Sequence, residues 1–250
     1  MYKPDWKGIC FCFIGSILSI ILIALILHPG YSNNRLESIK QTVKINTPDN
    51  NIGTGVIVKK ELLDNNKYSY YVLTAGHVVL GEGIMFGLLA GFEGSEFNIN
   101  ITIYDEHSEE IKQEKARIVD IDINNDVSIL NFISDLKLKP ALIYKGLNFD
   151  SIKVFKNVYS IGCQMGESPT ITSGVISKII KKNNRWYIMS DVKVSPGSSG
   201  GGLFIKINGE YQLIGLVIRT EAFNDIFIPH LGYFISTPSF LSFLINNNII

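Results

Sequence analysis

Short, regularly spaced strand patterns constrain the fold of this chain more than any other feature. From residue 42 onward, stretches rich in β-branched and aromatic residues alternate with Asn, Asp and Gly, which favour turns. The predicted strands are Thr42–Ile45, Gly53–Val58, Tyr68–Thr74, Asn98–Tyr104, Ala116–Ile121, Val127–Phe132, Val154–Ile161, Thr170–Ile179, Trp186–Asp191, Gly202–Ile207, Gln212–Arg219 and Gly232–Ser236. Only Pro238–Ile245 near the end predicts a helix. This spacing is typical of an antiparallel barrel or sandwich.

A long apolar run precedes these strands. Residues 8–27 carry no charged side chain and are mostly Ile, Leu, Phe and Ala. As a helix they would span roughly 30 Å, the thickness of a bilayer core. We therefore predict a transmembrane signal anchor at residues 8–28, between a short tail at 1–7 and a linker at 29–41. The alternative is a cleaved signal peptide, whose apolar part is usually shorter and is followed by a small-residue cleavage site.

The charges beside this run indicate its orientation only weakly. Lys3 and Lys7 lie on one side, Arg35 and Lys40 on the other, so the positive-inside rule is nearly tied. The N-terminal tail is short, and keeping it in the cytoplasm is the simpler arrangement. We therefore predict a single-pass membrane protein whose folded domain is extracytoplasmic.

Charge and cysteine content exclude two classes of protein. The chain has 23 basic and 23 acidic residues, so it lacks the basic excess typical of nucleic-acid binding. Of its three cysteines, Cys10 and Cys12 lie in the apolar run. Cys163 is left without an intradomain partner, which excludes a disulfide scaffold. Cys163 itself is predicted to be an inert, partly buried thiol.

A glycine-rich stretch at residues 195–203 reads Ser-Pro-Gly-Ser-Ser-Gly-Gly-Gly-Leu. A serine between glycines on a tight loop is the form taken by a nucleophile with its own oxyanion hole, because glycines expose backbone N–H groups. Two hydroxyls, those of Ser198 and Ser199, could fill that role. Since most glycine-rich turns only reverse the chain, the stretch needs a histidine and an acid elsewhere.

One of the four histidines stands out. His28 ends the apolar run, His107 lies in a charged hairpin tip, and His230 follows a proline in a loop. His77 instead follows a strongly apolar strand directly, in Leu-Thr-Ala-Gly-His-Val-Val. A tight turn would hold its imidazole at the strand end. Taken alone, this pattern also fits a structural histidine.

The acid candidates cluster between His77 and the glycine-rich stretch. Asp126 directly precedes an apolar strand, where a carboxylate can be buried against a histidine. Asp120 and Asp122 alternate with apolar residues and are expected to face solvent. Asp126 is therefore the preferred partner.

These segments together resemble the three catalytic segments of trypsin-like (chymotrypsin-fold) serine proteases. Residues 74–79 (TAGHVV), 125–130 (NDVSIL) and 197–201 (GSSGG) occur in that family's order of His, Asp and Ser. The absence of disulfides and the matches at Gly53–Val58 and Ser173–Ser177 resemble the HtrA/Deg branch. The resemblance covers roughly residues 45–246. It implies an all-β fold of two six-stranded antiparallel barrels with a C-terminal helix, and a protease domain at 42–250.

The resemblance also implies a mechanism. Ser199 would be the nucleophile, His77 the general base, and Asp126 the group that orients the imidazole. Backbone N–H groups of the Gly197–Ser199 segment, which includes Ser198, would form the oxyanion hole. Such a site needs no metal or organic cofactor, and its partners would be protein or peptide substrates.

The specificity pocket can be inferred by the same correspondence. The position six residues before Ser199 is acidic in enzymes that select basic side chains, and here it is Lys193. Val194 and Leu216 would line the S1 pocket, which holds the side chain preceding the cleaved bond. These residues favour small or medium aliphatic side chains and disfavour Lys or Arg.

The sequence also departs from the family pattern. Ser198 stands where Asn or Asp is common before the nucleophile, and Gly202 where proline is usual. We expect no PDZ domain after the predicted barrels, so activation through such a domain is not carried over. Related proteases are often trimers, which makes a homo-oligomer an open expectation. A pseudoprotease that keeps the barrels as a binding module is the alternative function. A protease limited to self-processing or to regulated cleavage of one membrane partner is a third.

Overall fold

The structure, a computed structural model, describes residues 38–80, 99–146, 152–223 and 226–250. The predicted anchor at 8–28, most of the linker at 29–41 and residues 81–98, which come after the third predicted strand, lie outside these ranges. Within them, no helix combines the length and apolar character needed to cross a bilayer.

The described residues form thirteen strands and little helix. The strands are β1 (Thr42–Asn46), β2 (Ile52–Leu62), β3 (Tyr68–Ala75), β4 (Ile99–Tyr104), β5 (Glu110–Asp122), β6 (Val127–Ser134), β7 (Leu142–Ile143), β8 (Asn157–Gly162), β9 (Thr170–Lys182), β10 (Arg185–Ser190), β11 (Gly202–Ile207), β12 (Glu210–Phe223) and β13 (Ile226–Ser236). The helices are α1 (Gly76–Val79) and α2 (Leu241–Asn246), with 3-10 turns at Asp64–Asn66, Gln164–Gly166 and Thr237–Ser239. The predicted C-terminal helix is confirmed.

The strands close into two six-stranded antiparallel barrels, as predicted. Barrel 1 has the order β1-β2-β3-β6-β5-β4 and closes where β1 pairs with β4. Barrel 2 has the order β11-β8-β9-β10-β13-β12 and closes where β11 pairs with β12. The short strand β7 adds to β12 in parallel. Closure leaves few exposed strand edges, which explains how so many short strands coexist.

Alternation along the strands builds three buried clusters. Each barrel has its own interior: Ile57 and Val72 point into barrel 1, and Val158 and Phe234 into barrel 2. The opposite faces of the same strands form a third cluster, which joins Leu73 of barrel 1 with residues of barrel 2 and of α2. This shared core fixes one barrel against the other. The loops at the junction are therefore held in fixed positions relative to each other.

Two strands are longer than their sequence pattern predicted. β12 and β13 continue beyond the barrel as a hairpin arm, where we expected a loop after Arg219. The register between them shifts after Thr220, which pairs with Gly232, so that Glu221 pairs with Ile228. The residues skipped on β13 include Pro229, whose missing N–H suits a bulge. The carbonyl of Pro229 accepts the N–H of Val194 at 3.0 Å.

Candidate functional site

The three residues selected from the sequence lie where strands end at the barrel junction. His77 is in α1, directly after β3, and Asp126 is in the turn before β6. Both belong to barrel 1, whose strands β3 and β6 pair along their whole length. Ser199 lies in the turn before β11 of barrel 2.

His77 and Asp126 are in direct contact. The Nδ1 atom of His77 lies 2.8 Å from Oδ2 of Asp126, and the backbone N–H of His77 donates to Oδ1 at 2.7 Å. A carboxylate only accepts hydrogen bonds, so Nδ1 must carry the proton and Nε2 is left as the basic nitrogen. The side chains are 46% and 34% exposed, so the pair opens to solvent.

The backbone around this pair is specialised for close approach. Asp126 has a φ of 55°, a left-handed conformation that Asp adopts more readily than most residues. Its carbonyl accepts the N–H of Gly76 at 2.9 Å. A Cβ atom at Gly76 would lie 3.0 Å from Oδ1 of Asp126, so the glycine gives the carboxylate its room. The close approach of Asp126 thus explains why a glycine directly precedes His77.

The loop that carries Ser199 is anchored to both barrels. The carbonyl of Ser199 accepts the N–H of Thr54 in β2 at 2.8 Å. The N–H of Gly200 donates to the carbonyl of Val217 in β12 at 2.8 Å. Gly200 has a φ of 81° and lies so close to β3 that a Cβ atom would be 2.7 Å from the N atom of Ala75. Gly200 therefore brings Ser199 beside the strand end that carries His77.

Two unpaired donors lie on this loop. Among the described residues, no hydrogen bond uses the N–H of Gly197 or of Ser199. Gly197 has a φ of 87° and packs on the carbonyl of Cys163. Two such N–H groups, one on the nucleophile itself and one two residues before it, can together stabilise a negative oxygen.

Ser198 differs from these neighbours because both its N–H and its hydroxyl are hydrogen-bonded within the loop. The prediction that its N–H is one of the oxyanion donors is therefore corrected. Its N–H donates to the carbonyl of Ser195 at 3.0 Å. Its buried hydroxyl donates to the same carbonyl and accepts the N–H of Ser195. The hydroxyl of Ser198 is therefore used inside the loop, and only Ser199 presents a hydroxyl that is not bonded there.

The hydroxyl of Ser199 makes no hydrogen bond within the described part of the chain, including none to His77. The residue is partly exposed. Catalytic hydrogen bonds are often long in structures without substrate and tighten only in the complex. The structure thus brings His77 and Asp126 into contact, and places Ser199 beside them without a direct bond.

The predicted S1 residues do not form one group. Val194 is buried in the interior of barrel 2, in the same cluster as Val217 and Phe234. Leu216 is fully buried in the cluster between the barrels. Adjacent residues on a strand face opposite sides. Leu216 therefore points away from its neighbour Val217, which shares the cluster of Val194. The prediction that Leu216 and Val194 line one pocket is wrong. Val217, the next residue of β12, lies in the same buried cluster as Val194, and alternation along β12 was the signal that could have separated it from Leu216.

Lys193 and Cys163 flank the loop in contrasting states. Lys193 is exposed, and its carbonyl accepts the hydroxyl of Thr172 at 2.9 Å. Cys163 is fully buried, and burial raises the pKa of its thiol to about 12. The thiol is therefore protonated at neutral pH and is a poor nucleophile.

The described ranges contain no group of His, Cys, Asp and Glu side chains suited to a metal ion.

Two glycines with similar backbone conformations test the packing of the Ser199 loop. We expect Gly200→Ala to destabilise the fold by several kcal/mol, about 1–2 from its positive φ and about 1–3 from overpacking against Thr54, Thr74 and Ala75. Gly209 has a φ of 89° with no atom within 4 Å of a Cβ, so Gly209→Ala should cost only the first part. Urea unfolding measures both. Equal losses would contradict the close packing of Gly200.

Comparison with known proteins agrees with this geometry. A family model described as "Trypsin-like peptidase domain" matches residues 53–216, more than half of the chain. A probable periplasmic serine endoprotease, DegP-like, of Halomonas elongata is 29% identical over 175 residues, which are 68% of this chain and 30% of that protein. The chain thus spans about a third of the length of the curated relatives it matches.

Solved structures show the same fold. An HtrA-type protease, AlgW with a tripeptide, is similar with a TM-score of 0.63 at 23% identity, over 88% of this chain and 64% of that one. The active form of the Rv3671c protease from M. tuberculosis has a TM-score of 0.60 at 22% identity, over 87% and 86% of the two chains. With its twin barrels and the match over 53–216, the chain belongs to the trypsin-like peptidase family and is similar to the HtrA/DegP proteases within it.

Proposed function

We propose that the chain is a serine endopeptidase that cleaves protein substrates through Ser199, His77 and Asp126, in a protease domain at residues 42–250. The observation that carries the proposal is the pairing of Asp126 with His77 beside a loop on which, among the described residues, the N–H groups of Gly197 and of Ser199 itself make no hydrogen bond. Neither a structural histidine nor a simple glycine turn needs that combination. Family membership and the DegP-like relatives support the same reaction.

The reaction follows from the roles that these atoms can take. Oγ of Ser199 attacks the peptide carbonyl, and Nε2 of His77 takes its proton. The carboxylate of Asp126 stabilises the imidazolium, and the N–H groups of Gly197 and Ser199 stabilise the oxyanion. His77 then protonates the leaving amine, which leaves an acyl group on Ser199. Water, deprotonated by His77, hydrolyses that acyl-enzyme and restores the serine.

One observation favours a second candidate, a catalytically silent binding module. The hydroxyl of Ser199 is not bonded to His77 among the described residues. A fluorophosphonate probe separates the two functions because it reacts only with an activated serine. Labelling of the purified chain supports the peptidase. A folded chain that is not labelled and leaves a mixed peptide library intact supports the binding module.

We expect cleavage after small or aliphatic residues. Val194 and Val217 are apolar and buried in the interior of barrel 2, and a Cβ atom at Gly232 would come within 3.2 Å of Val194, so this region suits a small apolar side chain better than a large one. Lys193, which is exposed and directly precedes Val194, would repel a basic side chain. A peptide library read by mass spectrometry gives the profile. Arginine or lysine as the dominant residue before the cleaved bond would contradict this specificity.

We propose that residues 8–28 anchor the chain in the membrane with the protease domain outside the cytoplasm. The uncharged run supports an anchor, and the DegP-like relatives are named as periplasmic. Externally added protease should digest a C-terminal tag in intact spheroplasts but spare an N-terminal tag. A tag pattern of the opposite kind, or release of the chain by alkaline carbonate, would contradict the anchor or its orientation. Light scattering of the detergent-extracted chain would test the homo-oligomer expected from the related proteases.

A further inference from the structure

Thr54 of β2 occupies an unusual position between the two barrels. Its side chain is completely buried. Its hydroxyl accepts the N–H of Cys163 at 2.8 Å and donates to the carbonyl of Gly197 at 2.7 Å. Because the N–H of Cys163 points at the hydroxyl oxygen, the hydroxyl hydrogen has to point toward Gly197. The bond to Gly197 therefore has a fixed direction.

The backbone of Thr54 holds the same loop at a second point. Its N–H donates to the carbonyl of Ser199 at 2.8 Å, and its own carbonyl accepts the hydroxyl of Thr74 at 2.7 Å. Gly197 and Ser199 are the two residues of the loop whose N–H groups find no partner in the part of the chain that the structure describes. Thr54 thus binds the carbonyl of each residue that offers a free donor.

We infer that Thr54 is a positioning residue that orients the two N–H donors of the oxyanion site. Its hydroxyl holds Gly197, and its backbone N–H holds Ser199 independently of the side chain. Donors must be fixed before the reaction to stabilise a charge that develops only in the transition state. This inference rests on the proposed function, since it assigns a role within that reaction.

The hydroxyl can be removed without changing the shape of the side chain. In Thr54→Val the carbonyl of Gly197 loses its bond, and Gly197, with its positive φ, can turn away. We expect kcat for a peptide substrate to fall at least about tenfold, less than the 10²–10³ for removing a donor outright. KM should change little, and inhibition by a peptide boronate, which places a negative oxygen in the same site, should weaken in parallel with kcat. Thr54→Ser, which keeps the hydroxyl, should restore kcat to within about threefold of the parent.

Thr42 in β1 provides a matched control. It is equally buried, and its hydroxyl donates to the carbonyl of Ser38 at 3.0 Å, in barrel 1 and away from the Ser199 loop. Thr42→Val should therefore keep kcat while it lowers the urea midpoint somewhat less than Thr54→Val, because its hydroxyl makes one hydrogen bond and that of Thr54 makes two. Thr54→Val with parental kcat, no rescue by serine, or an equal loss of kcat in Thr42→Val would each overturn the inference alone. A folded parent that neither turns over nor binds the boronate would contradict the proposed function and the inference together.

Discussion

Ser199→Ala is expected to abolish turnover while leaving the fold intact. Loss of the nucleophile in a serine protease reduces kcat by about 10⁶, and only the oxyanion donors and substrate binding would remain. The Ser199 hydroxyl has no bond among the described residues, so its removal should change the free energy of unfolding by no more than about 0.5 kcal/mol. Fluorophosphonate labelling and urea unfolding of the same sample measure both effects.

Ser198→Ala provides the matched control because it should behave in the opposite way. The buried hydroxyl of Ser198 makes two hydrogen bonds with Ser195, and their loss should cost about 1–3 kcal/mol of stability. Labelling should persist, because the nucleophile is still present. A Ser199→Ala protein that is labelled, together with an unlabelled Ser198→Ala protein, would show that Ser198 is the nucleophile.

The barrel strands could be predicted because the apolar, β-branched residues that favour a strand locally are also the residues that the barrel buries. In β3 and β6 nearly every residue is buried, and β-branched and aromatic residues with flanking turn residues mark such strands. His77 and Asp126 were identified for the same reason, since each directly adjoins one of these strands. The long β5, which begins at Glu110, was only partly predicted because its exposed half is polar.

Other features depend on contacts between distant residues. The arm of β12 and β13 lies beyond the barrel and includes a proline, so its local pattern resembles a loop. Thr54 looks like an ordinary strand residue until barrel 2 brings Gly197 to its hydroxyl, 143 positions along the chain. Leu216 was misassigned because the resemblance to the family identified the right segment of β12 but not which of its side chains points toward Val194. Leu216 points into the core between the barrels instead.

The placement of the site at the junction has a physical consequence. His77 and Asp126 are fixed within barrel 1, whereas the loop of Ser199 is bonded to β12 of barrel 2 and to Thr54 of barrel 1. The distance between Nε2 of His77 and Oγ of Ser199 therefore depends on how the barrels pack. Substitutions in the shared core, such as at Leu73 or Leu216, should affect turnover through that distance as well as through stability.

Asp126→Asn should lower kcat by about 10⁴ without unfolding the protein. Asn tolerates the left-handed φ of 55° at this position. Two donors of His77 face the two carboxylate oxygens, but an amide has only one oxygen. The backbone N–H of His77 cannot become an acceptor, so the amide oxygen stays there and the NH₂ group faces Nδ1. That forces the proton of the neutral imidazole onto Nε2, which then cannot accept a proton from Ser199.

Asp120→Asn is the control for this substitution. Asp120 lies in β5 near the same turn and accepts a bond from the side chain of Asn247, with no contact to His77. Its kcat should stay within about twofold of the parent, because the imidazole keeps its tautomer. ¹⁵N NMR of the histidine ring reads that tautomer directly, independently of activity. If Asp126→Asn keeps the proton on Nδ1, or keeps parental kcat, then the carboxylate does not set the basic nitrogen and the role assigned to Asp126 is wrong.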